Sequence, residues 1–597
     1  MPPANAPYSA LPRSGGLADR VRFSDDADHH RDSTAADVED NDLFDSTSHL
    51  NDTMEVADGD TVYYGVSLGS RRRAGKGRGF WITVVLLVVS SVVGMFWLYF
   101  DGINWSQKSK KRNVILMISD GFGPASETMA RNFVQHTKNL PVGYQSPLDE
   151  ILVGSSRTRS SDSLVTDSAA GATAFSCRLK TYNGAISVTD DKTPCGTVME
   201  AAKLQRGMAT GLVATSRITH ATPAAFSAHT LSRNMEDLIA EYQIGNYSLG
   251  PVVDLMFGGG RCFFMPNSQP DASCRLDARN LWAEAKAAGF HTLSSRAEFD
   301  ALDPHDPALL PLLGALAPSH MSYEIDRDPK AQPSLAEMAD KALAILSSAT
   351  RNKNAGFFLM IEGSRIDMAA HTNDPAAHLR DIVAYWDAIS VARKFVDDHP
   401  DTVLISVSDH ETGGFSVAKQ LTPEYPDYLW RPEVLAPVRH SIEYIAQQLL
   451  AQGDASASTQ DTKYAFVRDT VFPDWLGTKD ATHEEIMAVA LETDSVRLRQ
   501  LLSTAISDRA QIGWATHGHS AVDVNLYAYG KDARLLRGNH ENTEIGQFIV
   551  DFLGLDLDAI TAKIRGDRVM QSTQAVKEAW LGRRDLDASE HHHGSHF

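Results

Sequence analysis

Four short runs of apolar and β-branched residues, NVILMIS (113–119), GLVATS (211–216), FFLMI (357–361) and TVLISVS (402–408), each break off into a polar cluster. Runs this short, without polar alternation, suit strands covered on both faces, the condition of a parallel sheet held between helical layers. The stretches between them are helical in texture and end in Gly-rich turns. From Asn113 onward the chain therefore reads as an α/β domain with a large, mostly parallel central sheet and helices on both faces. Ligand sites in such sheets gather at the carboxyl ends of the strands, and here those ends carry Asp120, His220, Glu362, Asp409 and His410.

What precedes this domain is of two kinds. Residues 1–79 are rich in Asp, Ser, Gly and Ala with few aromatics, a composition too polar to offset chain entropy by burial, and they are expected to form a disordered acidic tail. Residues 80–100 (FWITVVLLVVSSVVGMFWLYF) are an uncharged apolar run of 21 residues with aromatic rings at both ends. That length matches a single membrane-spanning helix, and the rings suit the two interfaces. Lys and Arg flank both sides and favour a cytosolic N-terminus only narrowly. Residues 101–112 would be a juxtamembrane stalk, 113–555 the catalytic domain and 556–597 a polar C-terminal extension.

The net charge of −20 falls unevenly, since residues 1–60 hold 14 Asp and Glu against 4 Arg. This argues against a nucleic-acid partner, whose phosphates want the opposite sign. Cys177 and Cys195 lie close in sequence, as do Cys262 and Cys274. Two local disulfides are the favoured pairing, with buried thiols the alternative. Asn246-Tyr-Ser is a glycosylation sequon, of use only on a lumenal or extracellular domain.

Three clusters carry metal-ligand chemistry. In Glu362-Gly-Ser-Arg-Ile-Asp367-Met-Ala-Ala-His371, Asp367 and His371 share one face if the segment is helical, so that a carboxylate and an imidazole reach one ion. Asp409-His410 follows another strand, ahead of a Gly-Gly pair, and His519 lies in Thr516-His-Gly-His519. A lone Asp–His pair at a strand end is more often a surface ion pair than a ligand set, but three at one sheet edge point to a shared site. His517 and the terminal His591, His592 and His593 are read as solvated bystanders. In Thr166-Asp167-Ser168-Ala-Ala-Gly, a serine at the start of an Ala-rich helix would face the free N–H groups that favour an anion, although on these residues alone capping of the helix by Asp167 or Ser168 is the favoured reading.

Taken together, VILMISDGFG, TDSAAGATA, HATPAAFSAH, EGSRID with its following His, SDHETGG and GHSAVDV resemble the alkaline phosphatase family, and within it the membrane-anchored vacuolar enzymes of fungi. The resemblance covers about 113–555 and implies broad phosphate monoester hydrolysis through a phosphorylated Ser168, with Arg233 as the phosphate clamp. It implies two zinc ions and one magnesium ion. One zinc would be held by Asp367, His371 and His519, the other by Asp120, Asp409 and His410. Magnesium would take Asp120, Thr222 and Glu362, with His220 beside it where bacterial relatives have Asp. Met368 stands where bacterial relatives have Lys and animal ones His, and being unable to donate a hydrogen bond it predicts weaker retention of product phosphate. A crown insertion at about 415–511, a homodimer, and a vacuolar membrane location with the catalytic domain in the lumen are further implications. A sulfatase is disfavoured, because no Cys-x-Pro-x-Arg signature surrounds Ser168.

Overall fold

The computed structural model describes residues 111–306, 308–452 and 457–565, together with Ser90 and Ser91. The acidic tail, the rest of the apolar run at 80–100 and residues 566–597 lie outside the described residues. Among the described residues no helix is long and apolar enough to cross a membrane.

Among the described residues fourteen strands occur in chain order: β1 Asn113–Ile118, β2 Leu152–Arg157, β3 Ala209–Arg217, β4 Leu255–Gly259, β5 His291–Leu293, β6 Leu312–Ala315, β7 Phe357–Glu362, β8 Thr402–Val407, β9 Glu411–Thr412, β10 Ser416–Val417, β11 Ile512–Gly513, β12 His519–Ser520, β13 Val524–Gly530 and β14 Gly538–Glu541. Ten of them make one sheet in the order β14-β2-β13-β8-β1-β7-β3-β4-β6-β5. All its pairings are parallel except those of β13, which runs against β8 and β2. Every residue of β1, β7 and β8 is buried. Alternate residues feed different layers: Ile115, Met117, Leu359 and Leu404 enter one apolar core, Leu116, Ile118, Met360 and Ile405 the other. This two-sided burial is why these segments are apolar throughout.

Helices Leu335–Ala349 and Pro375–Asp398 fill the first core, and helices Ser168–Cys177, Val198–Arg206 and Asn542–Leu553 the second. Several begin where the chain supplies its own cap. Thr197 and Glu200, and likewise Ser334 and Glu337, form reciprocal capping boxes that satisfy amides the first helical turn leaves free.

The register matters most for the site. Ile118 lies beside Glu362 on one neighbour and Val407 on the other, so the residues just past β1, β7 and β8 emerge at one level. Residues 415–511 form a largely helical excursion whose ends meet in the β10–β11 pair, Ser416 opposite Gly513. The folded chain continues past Leu555, where composition had suggested a polar extension. Helix Leu557–Arg565 buries Leu557, Ile560 and Ile564 in the second core.

Candidate metal centre and nucleophile

Asp120 lies two residues beyond β1 in a tight turn through Gly121, whose φ of +74° is open to glycine at little cost. A Cβ on Gly121 would come within 2.7 Å of the Asp367 backbone. The close approach of these two loops therefore depends on a residue without a side chain. Glu362 ends β7, and Asp367 and His371 follow on helix Arg365–His371. Asp409 and His410 follow β8. His519 comes before β13, and because β13 runs antiparallel its beginning reaches the same edge where the parallel strands finish. The short β9–β12 pair, with His519 opposite Thr412, fixes it there.

These residues converge in three groups, with ligand atoms all within 4.8 Å of one another in each: Asp367, His371 and His519; Asp120, Asp409 and His410; Asp120, His220 and Glu362. Asp120 belongs to two of them. Helix Ser168–Cys177 points its first residue at the same place, with Ser168 Oγ 3.0 Å from His410 Nε2 and 3.5 Å from Asp120 Oδ1. Asp167 accepts from Ala170 N and caps this helix. Its other oxygen accepts from Arg233 Nη1 at 3.0 Å, and Arg233 Nη2 lies 3.2 Å from His220 Nε2.

The donor set fits cations. His371 Nδ1 can only donate to the carbonyl of His517, and His519 Nδ1 to that of Thr166 at 2.7 Å. Rings held this way direct the Nε2 atoms of His371 and His519 at each other, 3.2 Å apart and beside the Asp367 carboxylate, so a positive charge, a proton or a metal ion, is favoured between them. Around the third group Asp120 Oδ2, His220 Nδ1, Thr222 Oγ1 and Glu362 Oε1 are buried without a hydrogen-bond partner, an arrangement costly for polar atoms that have no ligand. Charge tells the same story. Burial first, and then the carboxylates of Asp409, Asp367 and Glu362, push Asp120 well above the ordinary carboxylate range. Burial raises Glu362 and Asp409 to about 7 each. Burial also holds His410 and His220 well below the usual imidazole value, in the neutral form that ligates metals. Acidic oxygens and neutral imidazoles crowded together are the chemistry of a polynuclear cation site.

All nine residues expected as ligands thus come to one place with Ser168 and Arg233. Elsewhere, Cys177 is bonded to Cys195 and Cys262 to Cys274, with Cα separations of 6.0 and 4.9 Å, and Asn246 is exposed. His517 is not a bystander: its carbonyl holds His371, and its Nδ1 lies 2.9 Å from the carbonyl of His371. Thr412 was missed as well, though its hydroxyl donates to Asp367 Oδ1 at 2.5 Å and lies 3.2 Å from His410 Nδ1. Contacts through backbone carbonyls leave no trace in residue identity, whereas Thr412 stood inside the quoted SDHETGG segment.

Fold and site together define a phosphatase-type α/β protein: a mostly parallel sheet whose carboxyl edge joins a helix-borne serine, an arginine and clustered cation ligands. Comparison with known proteins makes this specific. The family model described as alkaline phosphatase matches residues 111–555, and the chain belongs to that family. It is 48% identical over 485 residues to an alkaline phosphatase of Schizosaccharomyces pombe, covering 81% of this chain and 88% of that protein. It is 46% identical to the repressible alkaline phosphatase of Saccharomyces cerevisiae, covering 79% and 87%. Among solved structures, the Thermus thermophilus alkaline phosphatase aligns with a TM-score of 0.63 at 31% identity, covering 75% of this chain and 92% of that one. Hydrolysis of phosphate monoesters and dependence on metal are properties of the family to which this chain belongs.

Proposed function

We propose that this protein hydrolyses phosphate monoesters of broad structure by two in-line displacements at phosphorus, with Ser168 as the nucleophile. The observation that carries this reading is the position of Ser168 Oγ, 3.0 Å from His410 Nε2 and 3.5 Å from Asp120 Oδ1 at the start of a helix. In the first displacement Oγ bonds to phosphorus as the ester P–O bond breaks, and the leaving alcohol takes a proton. In the second, water attacks the phosphoserine, releases inorganic phosphate and returns the proton to Ser168. Arg233, fixed by Asp167 beside the nucleophile, offers a planar fork to the phosphoryl oxygens.

Asp367, His371 and His519 would hold one zinc, and Asp120, Asp409 and His410 the other. Asp120, Thr222 and Glu362 would hold magnesium, with the imidazole of His220 making that site less strictly oxygen-lined. Bound metal would lower the pKa of the serine hydroxyl and offset charge on the entering and leaving oxygens. Substrate contacts confined to the phosphoryl group would leave the alcohol in solvent, which supports broad specificity. The apolar run at 80–100 supports a membrane anchor, and the resemblance to fungal vacuolar enzymes supports a lumenal catalytic domain and a homodimer.

Turnover of p-nitrophenyl phosphate by Ser168→Ala should fall at least about 10³-fold, with the metal content of the purified protein unchanged. Full turnover by this variant, or full turnover after exhaustive chelation, would defeat the reading.

A further inference from the structure

Helix Arg365–His371, which carries Asp367 and His371, is only two turns long, and short helices have little stability of their own. Its position must be imposed from outside. Four hydrogen bonds of Asp374, just past its C-terminal end, do this. The N–H of Asp374 donates to the carbonyl of Ala369 at 2.9 Å. Asp374 Oδ1 accepts from Ala376 N and Ala377 N at 3.0 Å each, starting helix Pro375–Asp398. Its other oxygen, Oδ2, accepts from Ile442 N at 2.7 Å, the first residue of helix Ile442–Leu450 in the 415–511 excursion. The side chain of Asp374, a residue only 2% exposed, therefore joins the long helix to the inserted segment, and its backbone N–H ties that junction to the ligand-bearing helix.

Two further contacts tie the same pieces together. Ser503, also within the excursion, donates through Oγ to the carbonyl of Asn373 at 2.6 Å, where the backbone takes the left-handed conformation. Glu443 lies 3.6 Å from Arg365 Nη2, the cation that opens the ligand helix. The excursion thus holds this helix near both ends. It contributes none of the nine expected ligands.

We infer that Asp374 is a positioning residue for the Asp367–His371–His519 group, registering the 415–511 segment against the helix that presents two of its three ligands. This rests on the functional reading above, and it predicts an effect on one metal site and not on the other. The residues Asp120, Asp409 and His410 follow β1 and β8, which the hydrogen bonds of Asp374 do not reach.

The test is zinc titration of the full chain against a chromogenic chelator, in the unmodified protein and in Asp374→Ala, Asp374→Asn and Ser503→Ala, with circular dichroism to confirm folding. Asp374→Ala should weaken one of two zinc equivalents by about 10-fold or more, the range seen when groups supporting a ligand are removed, and leave the other unchanged. Asp374→Asn, which keeps one acceptor oxygen, should fall between. If Asp374→Ala does not fold, Ser503→Ala carries the test with a smaller loss at the same site. No tight zinc uptake by the unmodified chain would overturn the functional reading itself. Normal uptake there, with both affinities unchanged or equally reduced in the folded variants, would overturn the positioning role alone.

Discussion

Glu127 sits on the helix that follows Asp120, buried at 1% exposure, accepting from Ser146 Oγ and from Trp386 Nε1 at 3.1 Å. Burial, the largest influence, raises its pKa from 4.5 to about 7. A raised folded pKa means that the folded chain binds this proton more tightly than the unfolded chain does. Its contribution to stability is thus complete below pH 4.5 and is lost as pH rises through about 7. Glu127→Gln retains an acceptor for Trp386 and removes the charge. Melting at pH 9 should then show a gain of up to roughly 3 kcal/mol over the wild type, shrinking toward pH 4.5. A difference that stays constant across that range would refute the assignment. Nothing in the sequence marks Glu127 as different from any other helical glutamate, because its pKa is raised by burial under segments that arrive from elsewhere in the chain, while the hydrogen bonds from Ser146 and Trp386 partly oppose the rise. Asp120, Glu362, Asp409 and His410 are the opposite case. Each directly ends an apolar run, so both its residue type and its place in the sheet can be read in one dimension.

At the scale of elements, helix Ser168–Cys177 approaches the end of β8 so closely that a Cβ on Gly171 would lie 2.9 Å from Asp409 Cβ. Alanine normally gains about 1 kcal/mol over glycine inside a helix. Here the added methyl must push the helix that begins at Ser168 off Asp409. Gly171→Ala should leave the melting temperature within a few degrees of wild type while lowering kcat at least about 10-fold, since reaction tolerates little displacement. Unchanged kcat would show that the contact is relaxed without cost to the site. The four central strands are legible in the sequence because burial on both faces makes them uniformly apolar. β2 is not: LVGSSR is largely polar, and Leu152 is half exposed on the outer part of the sheet. β5 and β6 are too short, at 3 and 4 residues, to show a period.

At the scale of the whole molecule, stability rests on the second core and on the charge gathered at the site. Ending the chain after Asp556 removes Leu557, Ile560 and Ile564 from the second core. At about 2 kcal/mol for each buried aliphatic side chain, the truncated protein should melt well below the full chain. Equal melting temperatures would place the limit of the folded unit at Leu555 after all. Stripping metal with a chelator should also lower the melting temperature, and zinc should restore it, because four carboxylates, Asp120, Glu362, Asp367 and Asp409, share one interior and a cation bound to the folded state relieves their repulsion without their being protonated. A chelated protein that melts unchanged would contradict the cation site.

By itself the sequence determined a parallel sheet from Asn113 onward, the chemistry of its carboxyl edge and the residues that populate it, because two-sided burial and strand-end ligands both leave their marks in residue type and spacing. Only the tertiary structure decided that β13 runs antiparallel and so delivers His519 to that edge, that the carbonyls of His517 and Thr166 aim two imidazoles, and that Asp374 joins three helices. These depend on strand direction, backbone atoms and contacts between segments far apart in the chain, and residue identity encodes none of them locally.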